Sequence, residues 1–339
     1  MKANKNSLGL RFDLLNLTVL FTLGLLGLFL FSSSQAAAKE KCKSCTKTSL
    51  AAFSASTHEA KDDFLIATGK CYNLSDPEEQ RECIKEAREE LLSTREERKE
   101  QLSARLEICK ELGESPYDPQ LDPEDFVDPD DIGGSVEANI YFPLVAGTEW
   151  VYEGETEDGT ETITVTVTDE TKKIEYPSES GLVFTCRVVR DVVELDGDII
   201  EDTDDWYAQD TDGNVWYFGE ISKEFEDGEL VGLEGSWKAG VDGAKPGYQM
   251  FAQPEEGDYY RQEFFLGDAE DMAEVISIDA GLVNVFFGNY SDDVLQTKEW
   301  TPIEPDVVEH KYYAPYIGMI LEVNPDSGER VELIEMTTP

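Results

Sequence analysis

The sequence predicts an α+β protein in which a disulfide-clamped helical hairpin precedes an antiparallel, meandering β-sheet. Three observations predict this class. Four cysteines are spaced as two pairs on antiparallel helices, the residue pattern changes from helical to alternating near Ile140, and Asp-Gly pairs punctuate the chain that follows. We expect a curved sheet or half-barrel, with a β-sandwich as the second possibility.

The N-terminus has the composition of an export signal. Three basic residues precede an apolar run at residues 14–31, and small residues follow in SSSQAAA. We predict a signal peptide over residues 1–38, cleaved near Ala36 or Ala38, with an uncleaved anchor as the alternative. The sequence therefore predicts a periplasmic or extracellular protein that has no stable membrane insertion after cleavage.

The charge is distributed unevenly along the chain. The net charge of the whole sequence is −45: residues 1–38 carry +2, residues 39–113 carry −2 and residues 114–339 carry −45. Such a field repels nucleic acid and anionic membranes, and it attracts divalent cations or a basic protein surface. Solubility alone would also account for this charge.

Residues 39–113 are predicted to form a helix, a turn and a second helix. In the stretch NLSDPEEQ, Ser75 or Asp76 can cap the second helix and Pro77 suits its first turn. Gly113 is placed to end that helix. We therefore expect a helical hairpin, for which docking to a partner is the alternative role.

The cysteine spacing predicts how the two helices are clamped. Facing residues in an antiparallel pair have a constant sum of residue numbers, and Cys71 with Cys83 gives the same sum as Cys45 with Cys109. Two disulfides, Cys71–Cys83 near the turn and Cys45–Cys109 at the open end, therefore fit one register. Disulfides are the expected chemistry in an exported protein.

Two further cysteines have no partner assigned by spacing. Cys42 forms the motif CKSC with Cys45, but the strand and helix that surround a thioredoxin-type redox motif are missing from the sequence, so a structural role is favoured. Cys186, in LVFTCRVVR, is expected to be a buried thiol on a strand. Their pairing stays open.

Residues 114–138 are predicted to form an acidic linker. Three Asp-Pro pairs in this segment disfavour a helix and favour an extended chain. Its clustered carboxylates could also collect calcium, although a plain linker accounts for them.

Residues 139–339 are predicted to form the antiparallel β domain. The stretch TITVTVTD alternates polar and apolar residues, as a strand with one buried face does. Asp-Gly pairs ending at Gly159, Gly197, Gly213 and Gly228 stand between apolar or aromatic segments, which is typical of hairpin turns. No stretch between the later segments is long enough for a helical crossover, so an antiparallel order is expected.

The stretch DWYAQDTDGNVWYFGE resembles a calcium loop because Asp210, Asp212 and Asn214 alternate in it. An EF-hand requires Gly at its sixth position and Glu at its twelfth, where this chain has Val215 and Ile221. A hairpin turn at DTDG accounts for the same residues without a metal.

Three strings, DWYAQDTDGNVWYFGE, EPDVVEHKYYAPYIGMILE and FPLVAGTEWVYEGE, resemble an uncharacterised family of exported bacterial β-rich proteins. The similarity covers roughly residues 139–336 and implies a shared β-rich domain, with no activity or site residue to transfer. Members of the family favour Gly where this chain has Tyr316. The expected sheet is also similar to the open half-barrels of periplasmic lipoprotein carriers, an analogy of fold alone.

Groups suited to catalysis are sparse. The chain has two histidines, His58 and His310, and neither a nucleophile elbow nor a phosphate loop occurs in it. We expect His58 on a solvated helix surface and His310 on a strand. A carboxylate-dependent hydrolase with His310 as base is one alternative, while a protein without catalytic activity is favoured and the question stays open.

Carboxylates gather at the predicted turn in DGDIIEDTDD. Weak calcium binding would offset their mutual repulsion, and the candidate ligands are Asp196, Asp198, Asp202 and Asp204. The sequence establishes no cofactor, and calcium is the one candidate. The favoured function is therefore an exported, acidic binding or envelope protein with weak calcium-dependent stabilisation. The alternative is a periplasmic carrier that holds a hydrophobic or lipid ligand on a concave sheet.

Overall fold

The computed structural model describes residues 43–156 and 158–339. The predicted signal peptide and Cys42 lie outside these residues. Two helices, α1 (Ser44–Tyr72) and α2 (Pro77–Leu112), form the predicted hairpin. No helix among the described residues is long and apolar enough to cross a membrane.

Local chemistry explains where α2 begins and ends. Asp76 Oδ1 accepts hydrogen bonds from the backbone N–H groups of Glu78 and Glu79, at 2.7 and 3.0 Å. Pro77 is the first helical residue, where its missing N–H costs nothing. Gly113 ends the helix with a φ of 88°, a conformation that glycine adopts readily.

The two predicted disulfides clamp this hairpin. Cys45 is bonded to Cys109 and Cys71 to Cys83, with Cα–Cα distances of 5.5 and 5.6 Å. Both predicted pairings are therefore confirmed. They indicate a protein that folds outside the reducing cytoplasm. Cys186 is fully buried on a strand, as expected.

The segment between the hairpin and the sheet is more structured than an extended linker. Asp122 and Asp128 cap two single-turn 3-10 helices, Pro123–Asp125 and Pro129–Asp131. The reason is that each Asp-Pro pair supplies a capping carboxylate followed by a residue whose φ suits a helical turn. The ring of Phe126 packs against Phe184 and Phe218, so the segment lies on the sheet.

Eighteen strands lie between residues 149 and 337 of the described chain. They are β1 (Glu149–Glu155), β2 (Thr160–Glu175), β3 (Val183–Leu195), β4 (Asp198–Gln209), β5 (Val215–Ile221), β6 (Glu224–Glu226), β7 (Glu229–Gly232), β8 (Trp237–Lys238), β9 (Lys245–Met250), β10 (Tyr259–Arg261), β11 (Glu263–Phe264), β12 (Met272–Ser277), β13 (Val283–Val285), β14 (Gly288–Tyr290), β15 (Leu295–Trp300), β16 (Val308–Ala314), β17 (Gly318–Val323) and β18 (Arg330–Thr337).

All pairings between these strands are antiparallel, and most join neighbours in sequence. The main path runs β10-β12-β15-β16-β17-β18-β1-β2-β3-β4-β5-β9-β11. The predicted Asp-Gly turns occupy hairpin positions. At Asp196–Gly197, between β3 and β4, both residues have positive φ angles of 51° and 90°, as a tight two-residue turn requires. The predicted antiparallel meander is confirmed.

The sheet curves until its two ends almost meet, giving a nearly barrel-shaped domain. The two ends of the path, β10 and β11, belong to one segment, Tyr259–Phe264, which pairs through β10 with β12 and through β11 with β9. At the junction, a Cβ on Gly247 would overlap the backbone of Arg261 and Gln262. Glycine is therefore required where β9 approaches the closing segment.

Tyr316 occupies the turn between β16 and β17. Its φ of 66° lies in the left-handed region, where a side chain is strained and glycine is not. Its N–H donates to the carbonyl of Ile140 at 2.6 Å. This chain therefore holds a tyrosine in a backbone region that glycine adopts more readily.

Candidate functional site

The inner face of the curved sheet encloses a lumen that contains charged as well as apolar side chains. A cavity of about 190 Å³ lies within it. Its lining includes Asp191 of β3 and Lys311 of β16, strands that are five places apart in the sheet order. Side chains from opposite walls therefore meet in one space, which we call the lumen cavity.

One part of the lumen cavity is apolar and another is polar. The apolar and aromatic lining includes Phe142, Leu144, Trp150, Val165, Val167 and Met319. The polar lining includes Asp191, Asp205, Tyr207, Gln249, Lys311 and Tyr313. A molecule bound here would contact both kinds of surface.

Lys311 forms the centre of an ion-pair network on one wall. Its Nζ lies 3.4 Å from Glu299 Oε2, 3.2 Å from Glu309 Oε2 and 3.5 Å from Glu322 Oε2. Burial alone would lower the pKa of Lys311, but these three carboxylates outweigh it and raise the pKa well above the usual value. Lys311 is therefore a permanent cation.

Glu299 is the best-satisfied of these carboxylates. It accepts hydrogen bonds from the hydroxyls of Thr297 and Tyr313, at 2.8 and 2.9 Å, and from the Gln262 amide at 3.2 Å. Burial raises its pKa, but Lys311 and these donors outweigh burial, so the net pKa lies below the usual value. Glu299 is thus ionised beside Lys311.

A pair of acids faces this network from β4 and β5. Asp205 lies opposite Glu220 in the strand register, and the Tyr217 hydroxyl lies 2.5 Å from Asp205 Oδ1 and 2.8 Å from Glu220 Oε2. One hydroxyl has one proton, so the second short contact requires a protonated carboxyl group. Burial, followed by the charge of the neighbouring acid, raises the pKa of Asp205 well above its usual value.

The same environment affects Glu220 and Asp191. Burial raises the pKa of Glu220 to about 7. Burial, followed by the charges of Asp205 and Glu201, raises the pKa of Asp191 to about 8. Asp191 Oδ1 is buried and has no hydrogen-bond partner among the described residues. Asp191 therefore has an oxygen that is free to accept a hydrogen bond from a ligand.

Carboxylates continue along the lumen beyond the cavity. Burial raises the pKa of Glu263 well above its usual value. We call the whole set the lumen cluster: Asp191, Asp205, Glu220, Glu263, Glu299, Glu309 and Glu322 with Lys311. Among the described bases, Lys311 is the one that forms ion pairs with these acids.

His310 does not join the lumen cluster. It follows Glu309 and precedes Lys311 on β16, so its side chain lies on the opposite face of the sheet. Its Nδ1 lies 3.4 Å from Gln296 Nε2, and burial, followed by the charge of Lys298, lowers its pKa. The structure thus separates His310 from the lumen acids with which a hydrolase would use it.

The four candidate calcium ligands lie at and near the turn between β3 and β4. Asp196 Oδ1 accepts a hydrogen bond from Thr160 N at 3.1 Å, while Asp202 forms a two-bond ion pair with Arg190, at 2.8 and 3.0 Å. Asp198 is exposed, and Asp204 lies 3.4 Å from Lys223 Nζ. Across the described residues, no group of three or more His, Cys, Asp or Glu side chains is arranged to hold a metal ion. The calcium assignment stays a prediction.

The loop that resembles an EF-hand is a hairpin turn between β4 and β5. Asp210 Oδ1 accepts hydrogen bonds from the N–H groups of Asp212 and Asn214, at 3.0 and 2.8 Å. Its Oδ2 accepts from the side chains of Asn214 and Trp216. All these bonds hold the turn itself, in agreement with the turn interpretation.

Sequence reasoning missed the lumen cluster. A signal was present in VVRDVVEL, where Asp191 alternates with Val189 and Val193 and therefore lies on the same face of the strand. Lys311 similarly shares a face with Tyr313. A charged residue at a strand position that alternation assigns to the apolar face was therefore the signal that could have predicted the lumen cluster.

Comparisons with known proteins add little to this geometry. No family model matches the chain, and no curated protein matches it. A solved structure from Parabacteroides distasonis ATCC 8503, described as a "putative lipoprotein", is similar to it at 10% identity and a TM-score of 0.32. The match covers 60% of this chain and 100% of that chain. So distant a likeness carries no argument about function.

Proposed function

We propose that this protein is an exported binding protein whose lumen takes a small organic cation, namely a protonated amine on a compact apolar body. The observation that carries the proposal is the position of Asp191. Asp191 lines the same cavity as Trp150 and Met319 and has one oxygen without a hydrogen-bond partner among the described residues, so a charge and an apolar body would both find contacts there.

The charge balance of the lumen supports a cation rather than an anion. The lumen cluster contains seven carboxyl groups and the single ammonium of Lys311, whose partners are Glu299, Glu309 and Glu322. Burial and the neighbouring acids raise the pKa of Asp191 to about 8 and that of Asp205 well above its usual value, and Lys311 offsets this only in part for Asp191. A ligand ammonium would stabilise their ionised forms and would be held by that attraction.

The size of the cavity supports a small ligand. Its volume is about 190 Å³, whereas an apolar cavity of about 150 Å³ holds one benzene molecule. A single aromatic ring with a short amine therefore fits, and a long acyl chain does not. The aromatic rings of Trp150 and Tyr207 also suit an ammonium group, which aromatic faces attract.

Calorimetric titration with benzylamine and with benzyl alcohol at pH 7 tests the proposal. The two ligands have nearly the same shape, so we expect saturable binding of the amine and at least about tenfold weaker binding of the alcohol. Asp191→Asn should weaken amine binding at least about tenfold. Asp202→Asn, which removes the same charge from the outer ion pair with Arg190, is the matched control and should bind as the unchanged protein does.

Equal affinities for amine and alcohol would overturn the proposal, as would unchanged amine binding by Asp191→Asn. The two functions proposed from the sequence, a lipid carrier and a protein stabilised by calcium, are supported by fewer structural observations. A carrier for a long-chain lipid would need more volume than the lumen cavity of about 190 Å³. Calcium-dependent stabilisation would require Asp202 and Asp204 to exchange Arg190 and Lys223 for a metal ion. Thermal unfolding in calcium, magnesium and sodium chloride of equal ionic strength tests it, because a specific site raises the midpoint with calcium alone.

A further inference from the structure

A second cavity lies between the helical hairpin and the sheet. Its volume is about 300 Å³. Arg105 of α2, Arg261 of β10 and Tyr117 of the connecting segment line it. None of its lining residues lines the lumen cavity. We call it the interface cavity.

Arg261 is a buried cation that faces the interface cavity. Only 8% of its surface is exposed. Its guanidinium lies against the rings of Phe264 and Tyr117, with 4.7 and 5.5 Å to their centroids, and its Nη1 lies 3.8 Å from the sulfur of Met272. Its Nε is buried and has no hydrogen-bond partner among the described residues. Such an unpartnered group requires an explanation, for example a bound ion.

The nearby acid Glu270 is already paired with another arginine. Arg105 Nε donates to both oxygens of Glu270, at 3.1 and 3.0 Å, and Arg105 Nη2 donates to Oε1 at 2.7 Å. The N–H of Gly267 also donates to Oε1, at 2.8 Å. The Arg105–Glu270 pair is therefore neutral as a whole, and Arg261 forms no ion pair with any described carboxylate.

Lys245 also lines the interface cavity, but its charge is compensated. Its Nζ lies 2.7 Å from Asp118 Oδ1 and donates to the carbonyl of Tyr117 at 2.6 Å. The surplus positive charge therefore belongs to Arg261. With 73 acidic and 28 basic residues in the chain, composition does not account for a cavity that has a surplus base.

We propose that the interface cavity binds a small monoanion whose carboxylate pairs with the guanidinium of Arg261. The planar fork of arginine matches the two oxygens of a carboxylate, and a partner of opposite charge offsets the cost of burying the guanidinium. The hydroxyl of Thr48 lies on the same lining and adds a hydrogen-bond donor, whereas the hydroxyl of Ser49 already donates to the carbonyl of Cys45 at 3.0 Å.

The surroundings indicate the rest of the ligand. Phe264 and Leu266 line the interface cavity and suit an apolar body. A dianion such as phosphate would bring its second charge close to Glu270, which argues for a single charge. The volume of about 300 Å³ equals that of about ten water molecules, enough for one aromatic ring with a carboxylate. Benzoate is therefore a suitable probe.

Calorimetric titration of the protein with benzoate, benzyl alcohol and inorganic phosphate at matched ionic strength tests the proposal without any variant. We expect saturable binding of benzoate and at least about tenfold weaker binding of the other two. No saturation by benzoate below about 10 mM, or equal binding of benzyl alcohol or phosphate, would overturn the proposal.

Variants locate the site. Arg261→Gln should bind benzoate at least about tenfold more weakly, whereas Arg190→Gln, which removes an exposed arginine from an outer ion pair, should bind it unchanged. Should Arg261→Gln fail to fold, Arg261→Lys keeps the charge but loses the fork, and at least about threefold weaker binding is expected. Unchanged affinity in the folded variant overturns the proposal.

Measuring each variant with the ligand of the other site distinguishes the two proposed sites. Arg261→Gln should still bind benzylamine, and Asp191→Asn should still bind benzoate. Failure of either ligand at its own site therefore leaves the other proposal standing. A loss of both ligands in one variant would show a general disruption of the fold instead of a local site.

Discussion

The Tyr217 hydroxyl and the Asp205 carboxyl group lie 2.5 Å apart, and the same hydroxyl also contacts Glu220 at 2.8 Å. Tyr217 therefore connects two acids that would otherwise repel each other. We expect Tyr217→Phe to lower the free energy of unfolding at pH 8 by about 1–3 kcal/mol, because both acids lose a hydrogen-bond partner. The loss should be smaller at pH 5, where protonated carboxyl groups can donate to each other.

Urea unfolding at both pH values measures this effect. The control is Tyr312→Phe on the opposite, outer face of β16, for which we expect a change of about 0.5 kcal/mol or less. An equal loss at pH 5 and pH 8 would contradict the proton-sharing arrangement.

Asp191 makes stability depend on pH with a definite sign. Its carboxyl group ionises near pH 3.9 in the unfolded chain and at about 8 in the folded protein. Between these values the folded state binds more protons, so the free energy of unfolding falls as pH rises from about 4 to about 8. The stabilising contribution is present below pH 4 and is lost above pH 8.

We therefore expect Asp191→Asn to raise the free energy of unfolding by about 1–2 kcal/mol at pH 8 and to leave it unchanged near pH 4. This is less than the full pKa shift implies, because the side chain keeps some contact with water. Thermal unfolding from pH 4.5 to 8.5 measures the effect. A variant that is destabilised at pH 8 would contradict the assignment.

Lys311 should be essential to the stability of its wall of the lumen. Lys311→Met leaves the carboxylates of Glu299, Glu309 and Glu322 without their cation. The loss should be about 3 kcal/mol at pH 7, the low end for a broken buried pair, because the Lys311 side chain is 23% exposed. Acid should restore part of the loss by protonating the acids.

Urea titrations at pH 5 and pH 7 test this prediction. Lys298→Met is the matched control, since Lys298 lies on the outer face opposite His310 and has no lumen acid to neutralise. A loss as large in the control as in Lys311→Met would show that the lumen ion pairs contribute little.

The two disulfides should differ in their contribution to stability. Cys45 and Cys109 are 64 residues apart in sequence, whereas Cys71 and Cys83 are 12 apart. Because a longer loop loses more entropy when it is closed, replacing the first pair by alanine should cost about 1–2 kcal/mol more than replacing the second. Guanidinium unfolding of the two double variants measures the difference, and equal losses would contradict the loop-entropy account.

The hairpin and most of the sheet could be predicted from sequence because their signals are local. The constant sum of the cysteine positions determines the register of α1 and α2, and Asp196–Gly197 marks a hairpin on its own. The closing segment has no such signal, since β10 and β11 are three and two residues long. The partners of β10 and β11 are β12 and β9, and the curvature of the folded sheet brings these two strands close to one segment.

The candidate site was unpredictable for a related reason. Asp191, Asp205 and Lys311 lie far apart in sequence, and they meet because the sheet curves around them. Alternation along each strand shows which face a residue takes, but it does not show whether that face encloses a lumen or meets a second layer. In a chain with 73 acids, no single carboxylate was distinctive.

The closing segment Tyr259–Phe264 also bears on how the protein avoids self-association. Because β10 pairs with β12 and β11 with β9, this segment covers the edges of β9 and β12 that would otherwise be open to another chain. Before this segment docks, β9 and β12 each present unpaired N–H and C=O groups. Refolding should therefore become less efficient at high protein concentration, with intermolecular strand pairing as the competing reaction until closure is complete.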